Sequence, residues 1–149
     1  CITCDGAAIL FLGESGTGKS THTRLWRENI TGARLLNDDS PIVRVVDGVA
    51  RVYGSPWSGK TPCYKNEDYP IAGFCRLAQA PYNKIQRLPT ILAIGALLPS
   101  CPPLFAQDER LQDMMCATIG NVISKTPLYR LECLPNAAAA ELSRTTILD

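Results

Sequence analysis

The segment Gly13-Glu14-Ser15-Gly16-Thr17-Gly18-Lys19-Ser20 constrains this chain most, because it matches G-x-x-x-x-G-K-[ST] between an apolar run and a helix-compatible stretch. Such a loop needs a buried strand to fix its base and a helix to aim backbone amides at one point. Residues 7–12 (AAILFL) supply the strand, a continuous apolar run of the kind buried inside α/β sheets. Residues 20–29 (STHTRLWREN) supply the helix, with Leu25 and Trp26 directed inward and Thr31-Gly32 closing it. Glycines let successive amides turn onto phosphate oxygens, Lys19 reaches the β- and γ-phosphates, and the Ser20 hydroxyl ligates magnesium. The expected nucleotide-binding residues are therefore Gly13, Glu14, Ser15, Gly16, Thr17, Gly18, Lys19 and Ser20, with Thr21 as either a phosphate contact or a plain first-turn residue. Glycine makes up near 7% of ordinary usage, so a chance match in a chain this long arises in under about one case in a hundred.

The rest of the composition bounds where such a loop can sit. A length of 149 residues suits one domain, and 46% hydrophobic against 19% charged residues is ordinary globular usage. The formal net charge of +1 provides no global field for nucleic acid or an anionic membrane, so any anion must be held by a local device. No apolar run is long enough for a membrane helix and the start lacks a signal-peptide pattern, so the chain reads as soluble and cytoplasmic. Seven scattered cysteines, an odd number, suit reduced thiols better than a disulfide framework. Cys1 and Cys4 form the only CxxC, and with one His in the chain and no second Cys pair nearby no tetrahedral zinc set is expected. Because the first residue is Cys rather than Met, residues 1–149 read as a single domain truncated at its N-terminus.

Along the chain, Asp5-Gly6 signals a hairpin between residues 1–4 and the apolar strand. A further strand is expected over residues 33–37. Residues 42–46, Asp47-Gly48 and residues 49–53 form the clearest hairpin, since Asp-Gly supplies the positive φ angles of a type I′ turn. Residues 54–62 (GSPWSGKTP) read as an exposed loop, and residues 71–80 and 83–88 as strands. Pro89 can open a helix through Leu98. After three prolines, residues 107–124 place Leu111, Met114, Met115, Ile119, Val122 and Ile123 on one helical face, expected to be core. A last strand over residues 128–134 and a last helix over residues 136–144 complete the reading.

A magnesium nucleotide site needs carboxylates near the metal, and transfer to a hydroxyl needs a base. Asp38-Asp39 follows the short apolar strand after the first helix, where strand ends face the same crevice as the phosphate loop. The alternative is that one Asp merely caps the turn before Pro41.

Taken together, GESGTGKST followed after a helix by GARLLNDDSPIVRV resembles the catalytic core of the HPr kinase/phosphorylase family, in the wider group that includes phosphoenolpyruvate (PEP) carboxykinases. The match is closest over residues 7–46. The resemblance implies an α/β fold, a P-loop-containing mixed β-sheet flanked by helices with an HPr kinase/PEP carboxykinase-like core. It implies ATP and Mg2+ as cofactors, with Lys19, Asp38 and Asp39 catalytic, Ser20 and Asp39 on the metal, and Asp38 as the base. The family also carries a His on the strand before the phosphate-loop strand, which the pattern places just ahead of residue 1. His22, the only His, is expected at the surface or at the phosphate edge.

The loop at Ser55-Pro56-Trp57-Ser58-Gly59-Lys60-Thr61 is the candidate substrate element, with Trp57 stacking on a ligand or else packing on the core. Arg44, Arg76 and Arg87 fall on expected strands, and any of them could stabilise transition-state charge. The function expected is ATP- and magnesium-dependent phosphoryl transfer to a hydroxyl of a protein, peptide or small molecule. The alternatives are a nucleotide-binding sensor or scaffold without turnover, and a carboxykinase-like enzyme acting on a small carboxylate. HPr kinases assemble as hexamers, so the resemblance also admits a homo-oligomer.

Overall fold

The computed structural model describes all residues, Cys1–Asp149. Its centre is a mixed sheet of eight strands, β1 (Ile2–Cys4), β2 (Ala7–Leu12), β3 (Arg34–Leu35), β4 (Ile42–Val46), β5 (Val49–Tyr53), β6 (Asp68–Gln79), β7 (Lys84–Arg87) and β8 (Leu128–Cys133). Four helices accompany it, α1 (Lys19–Asn29), α2 (Thr90–Leu97), α3 (Glu109–Lys125) and α4 (Ala137–Leu148). The long strand β6 organises the sheet. Its middle and C-terminal parts run parallel to β2 on one side and β8 on the other, while its first residues pair antiparallel with β5.

Period-two alternation along β2 divides the core between two faces. Ala8, Leu10 and Leu12 join Phe74, Leu128 and residues of α2 and α3, whereas Ile9 and Phe11 join Trp26 of α1, Leu77, Leu131 and Ala140 of α4. Helices thus cover both faces, which is what a central strand as apolar as AAILFL requires. No helix is long and apolar enough to cross a membrane.

Asp5 and Asp47 both take positive φ ahead of Gly6 and Gly48, so the Asp-Gly hairpins at 5–6 and 47–48 form as their turn chemistry dictates. Other expectations need correction. The strand expected over 33–37 shortens to Arg34–Leu35, because the buried Asn37 side chain captures the amides of Asp39 and Ser40 and turns the chain. Helix α3 buries Ile119, Val122 and Ile123, but Leu111 and Met114 remain 39% and 57% exposed. The helix contacts the 3-10 segment Pro103–Gln107 and α2 as well as strands β4 and β5. The segment 54–62 is not wholly an exposed loop, since Ser55 is buried and hydrogen-bonded to Asn37.

Candidate functional site

The glycine-rich loop leaves the C-terminal end of β2, and its shape depends on glycine. Gly13, Gly16 and Gly18 have positive φ, and a Cβ on Gly13 would collide with the Thr17 hydroxyl. Thr17 folds the loop on itself, donating from its backbone nitrogen (3.2 Å) and its Oγ1 (2.8 Å) to the Glu14 carbonyl. Lys19 Nζ reaches back across the loop to donate to the carbonyl oxygens of Gly13 at 2.5 Å and Glu14 at 2.9 Å. Helix α1 starts after the left-handed Gly18 with no side-chain cap and no acidic residue in its first turn. Its leading amides therefore present uncompensated positive potential next to the lysine, the electrostatics that favour an anion there. Ser20 is exposed on that first turn and Thr21 is half-buried.

The acidic pair lies at the same edge of the sheet. Strand β1 runs antiparallel to both β2 and β3, so β2 and β3 point the same way and the chain leaves both at one edge. Because β1 lies between them, the two strands are roughly 10 Å apart, two interstrand spacings. Buried Asn37 arranges this corner. Its Oδ1 accepts from the amides of Asp39 and Ser40, both at 2.8 Å, and its Nδ2 donates to Ser55 Oγ at 3.1 Å and to the Trp57 carbonyl at 3.0 Å. Its own carbonyl accepts from the Cys1 nitrogen at 2.9 Å.

Asp38 is half-buried under the 55–61 segment, where its Oδ2 accepts from the Thr61 amide at 2.9 Å. A Cβ on Gly59 would stand 2.7 Å from the same oxygen, so the close approach of that segment requires glycine. Asp39 remains exposed, with only the Ser40 hydroxyl at 3.4 Å on its carboxylate. The two carboxylates are thus differentiated, one covered and anchored, the other open to solvent. Trp57 is 60% exposed and does not pack on the core.

Replacing Asn37 with Ala should cost about 2–4 kcal/mol, because the Asp39 and Ser40 amides, the Ser55 hydroxyl and the Trp57 carbonyl lose their shared partner together. Urea unfolding of the variant measures this, and a loss under about 1 kcal/mol would show that the corner holds without the side chain. Asn37 is the site residue that motif reading passed over, whereas Ser55 and Thr61 belong to the 55–61 segment considered from sequence. The signal available for Asn37 was its position, a short Asx-turn former directly before the two acids.

On the other side of the loop an open cleft of about 650 Å³ is lined by Ser15, Gly16, Thr17, Arg76, Gln79 and Arg130, with Leu88, Leu92 and Ala96 among its apolar walls. Gln79 Nε2 donates to the Gly16 carbonyl at 3.2 Å and ties the loop to the end of β6. Of the three arginines considered from sequence, only Arg76 lines this cleft. Arg44 sits over the Tyr53 ring at 5.9 Å on the β4–β5 hairpin, and Arg87 is exposed on β7. No three His, Cys, Asp or Glu side chains converge into a metal-holding group.

His22 corrects the sequence reading: it is not a surface or phosphate-edge residue but 3% exposed, on the inner face of α1. Its ring meets Phe11 edge-on at 4.7 Å, and the Trp26 indole N–H donates to Ser143 Oγ at 2.9 Å and to His22 Nε2 at 3.3 Å, the latter lying 3.2 Å from that hydroxyl. Accepting that indole N–H requires the neutral imidazole. Burial pushes its pKa down from 6.5 to about 4. Between those values the unfolded chain binds the proton that the folded one refuses, so stability is complete above about pH 6.5 and falls as pH drops toward 4. The loss amounts to about 3 kcal/mol. Urea midpoints measured across that range should decline with acidity in the native chain and lose most of that slope in His22→Gln.

No family model matches the chain, and neither a curated protein nor a solved structure matches it.

Proposed function

We propose that this chain is an ATP- and magnesium-dependent phosphotransferase with a P-loop core of the HPr kinase type, moving the γ-phosphoryl group to a hydroxyl. The observation that carries this reading is the placement of the glycine-rich loop and the Asp38-Asp39 pair at one edge of the sheet, two strands apart. A triphosphate held by the loop would fill that gap with its terminal phosphate. Lys19 would exchange the Gly13 and Glu14 carbonyls for phosphate oxygens, a change that needs only side-chain rotation.

The exposed Ser20 hydroxyl and Asp39 carboxylate suit a hard, oxygen-seeking cation, and magnesium held by them and by phosphate oxygens would neutralise the charge of the β- and γ-phosphates. On this reading Asp38 accepts the proton. As the acceptor oxygen bonds to the γ-phosphorus, the bond to the β-bridging oxygen breaks, ADP leaves, and the acceptor's hydroxyl proton passes to the Asp38 carboxylate. The Thr61 amide fixes one carboxylate oxygen and leaves the other for that proton. Incubation with γ-labelled ATP, magnesium and candidate hydroxyl acceptors tests the proposal: label on an acceptor is the expected result, and nucleotide binding without transfer to any of them would overturn it.

A further inference from the structure

In the parallel pairing of β6 with β8, Arg76 stands directly opposite Arg130. Strands at the centre of such a sheet are usually apolar, and like charges in direct register repel. The preceding pair in that face, Phe74 with Leu128, follows the usual rule. Arg76 is half-buried and has no carboxylate within ion-pair distance. Its one protein partner is the Ala96 carbonyl in the last turn of α2, which accepts from Nη1 at 3.1 Å. A helix C-terminus offsets part of the positive charge and holds one arm of the guanidinium, while its remaining N–H groups have no protein partner. Arg130 pairs with Glu132 at 3.2 Å, yet its side chain is 55% exposed, so that pair is screened and readily shared. Arg76 and Arg130 both line the cleft beside the loop, and the charges of these two and Glu132 sum to net positive.

We propose that Arg76 and Arg130 form an anion subsite that takes the carboxylate or phosphate group of a small, hydroxyl-bearing acceptor. A planar guanidinium pair matches the oxygens of either group, and a cleft of about 650 Å³ with apolar walls has the size of a small-molecule site. The cleft touches the loop at Ser15–Thr17, and Lys19 and Ser20 are not among its lining residues. Arg76 is opposite Leu12, the last residue before the loop, and so stands one strand from the loop's base on the side away from Asp38. The strands that carry Arg76 and lead to Asp38 are three interstrand spacings apart, roughly 15 Å, so an acceptor anchored at Arg76 reaches Asp38 only by spanning that distance over the loop. That the occupant is the phosphoryl acceptor rests on the kinase reading, whereas the anion subsite itself does not.

The test is a titration of the full chain with glycerate, a carboxylate probe, and with glycerol 3-phosphate, a phosphate probe, following the guanidinium Nε–Hε resonances of Arg76 and Arg130. Saturable shifts of both resonances with either probe are expected, and the tighter probe identifies the anion. Arg130→Gln, at a half-exposed side chain that the fold does not need, should weaken that binding by about tenfold or more. Affinity for magnesium ATP should remain within about twofold in the same variant. Arg76→Lys, which keeps the charge and loses the planar fork, should weaken probe binding without unfolding the chain. Absence of saturable shifts with both probes would overturn the subsite. An equal loss of ATP affinity in Arg130→Gln would overturn the assignment and give the cleft to the nucleotide. If the wild-type chain binds a probe but never ATP, the kinase reading and the acceptor assignment fail while the anion subsite stands.

Discussion

Replacing Lys19 with Ala is expected to weaken magnesium ATP binding by about 100-fold or more, since the ammonium contributes charge-assisted hydrogen bonds to two phosphates, each about 1.5–3 kcal/mol. The fold should tolerate the change. In the ligand-free chain Nζ is half-exposed and donates only to the Gly13 and Glu14 carbonyls, which water can satisfy at the surface. Thermal melting separates the two effects. Excess magnesium ATP at about 100 times its Kd should stabilise the wild type by about 2.7 kcal/mol and the variant by almost nothing, while the two melt together without nucleotide. Equal ATP affinity in wild type and variant would remove the basis for a phosphate site in this loop.

Asp38→Asn should leave nucleotide affinity nearly intact and reduce phosphoryl transfer by about 100- to 10,000-fold, the range for loss of a positioned general base. The amide is nearly isosteric, and its oxygen can still accept from the Thr61 amide, so the 55–61 segment should remain seated over the site. The readout is kcat at saturating ATP alongside ATP affinity. Asp39→Asn makes the informative comparison, because the exposed carboxylate should shift the magnesium dependence rather than abolish turnover. Full activity in Asp38→Asn would assign the base elsewhere, and loss of ATP binding in that variant would assign Asp38 to the nucleotide.

Much of the fold was legible wherever a local rule acts alone. The hairpin of β4 and β5 appears with the bounds its Asp-Gly turn implies, because two positive φ angles are set by adjacent residues. The AAILFL strand, the helix after the loop and the glycine-dependent bends between them likewise follow from apolar runs and backbone freedom. Reading failed where partners far along the chain decide. The spacing of Leu111 and Met114 is helical and the helix forms, but which part of a stripe is buried depends on where the sheet beneath it ends. His22 shows the same limit, since its partners Trp26 and Ser143 are 4 and 121 residues away and only the packing of α1 on α4 brings the second to it.

The candidate site divides along the same line. By itself the sequence determined the glycine-rich loop between strand and helix, its lysine and hydroxyl, and two acids after the next strand, because the spacing within one strand, loop and helix is a property of the local chain. Tertiary structure alone decided that the acids share the loop's edge of the sheet, that Asn37 and Thr61 hold one of them while the other stays open, and that Arg76 and Arg130 meet beside Ser15–Thr17. Strand order and register bring residues from distant parts of the chain into one row, and no local propensity encodes which strands become neighbours.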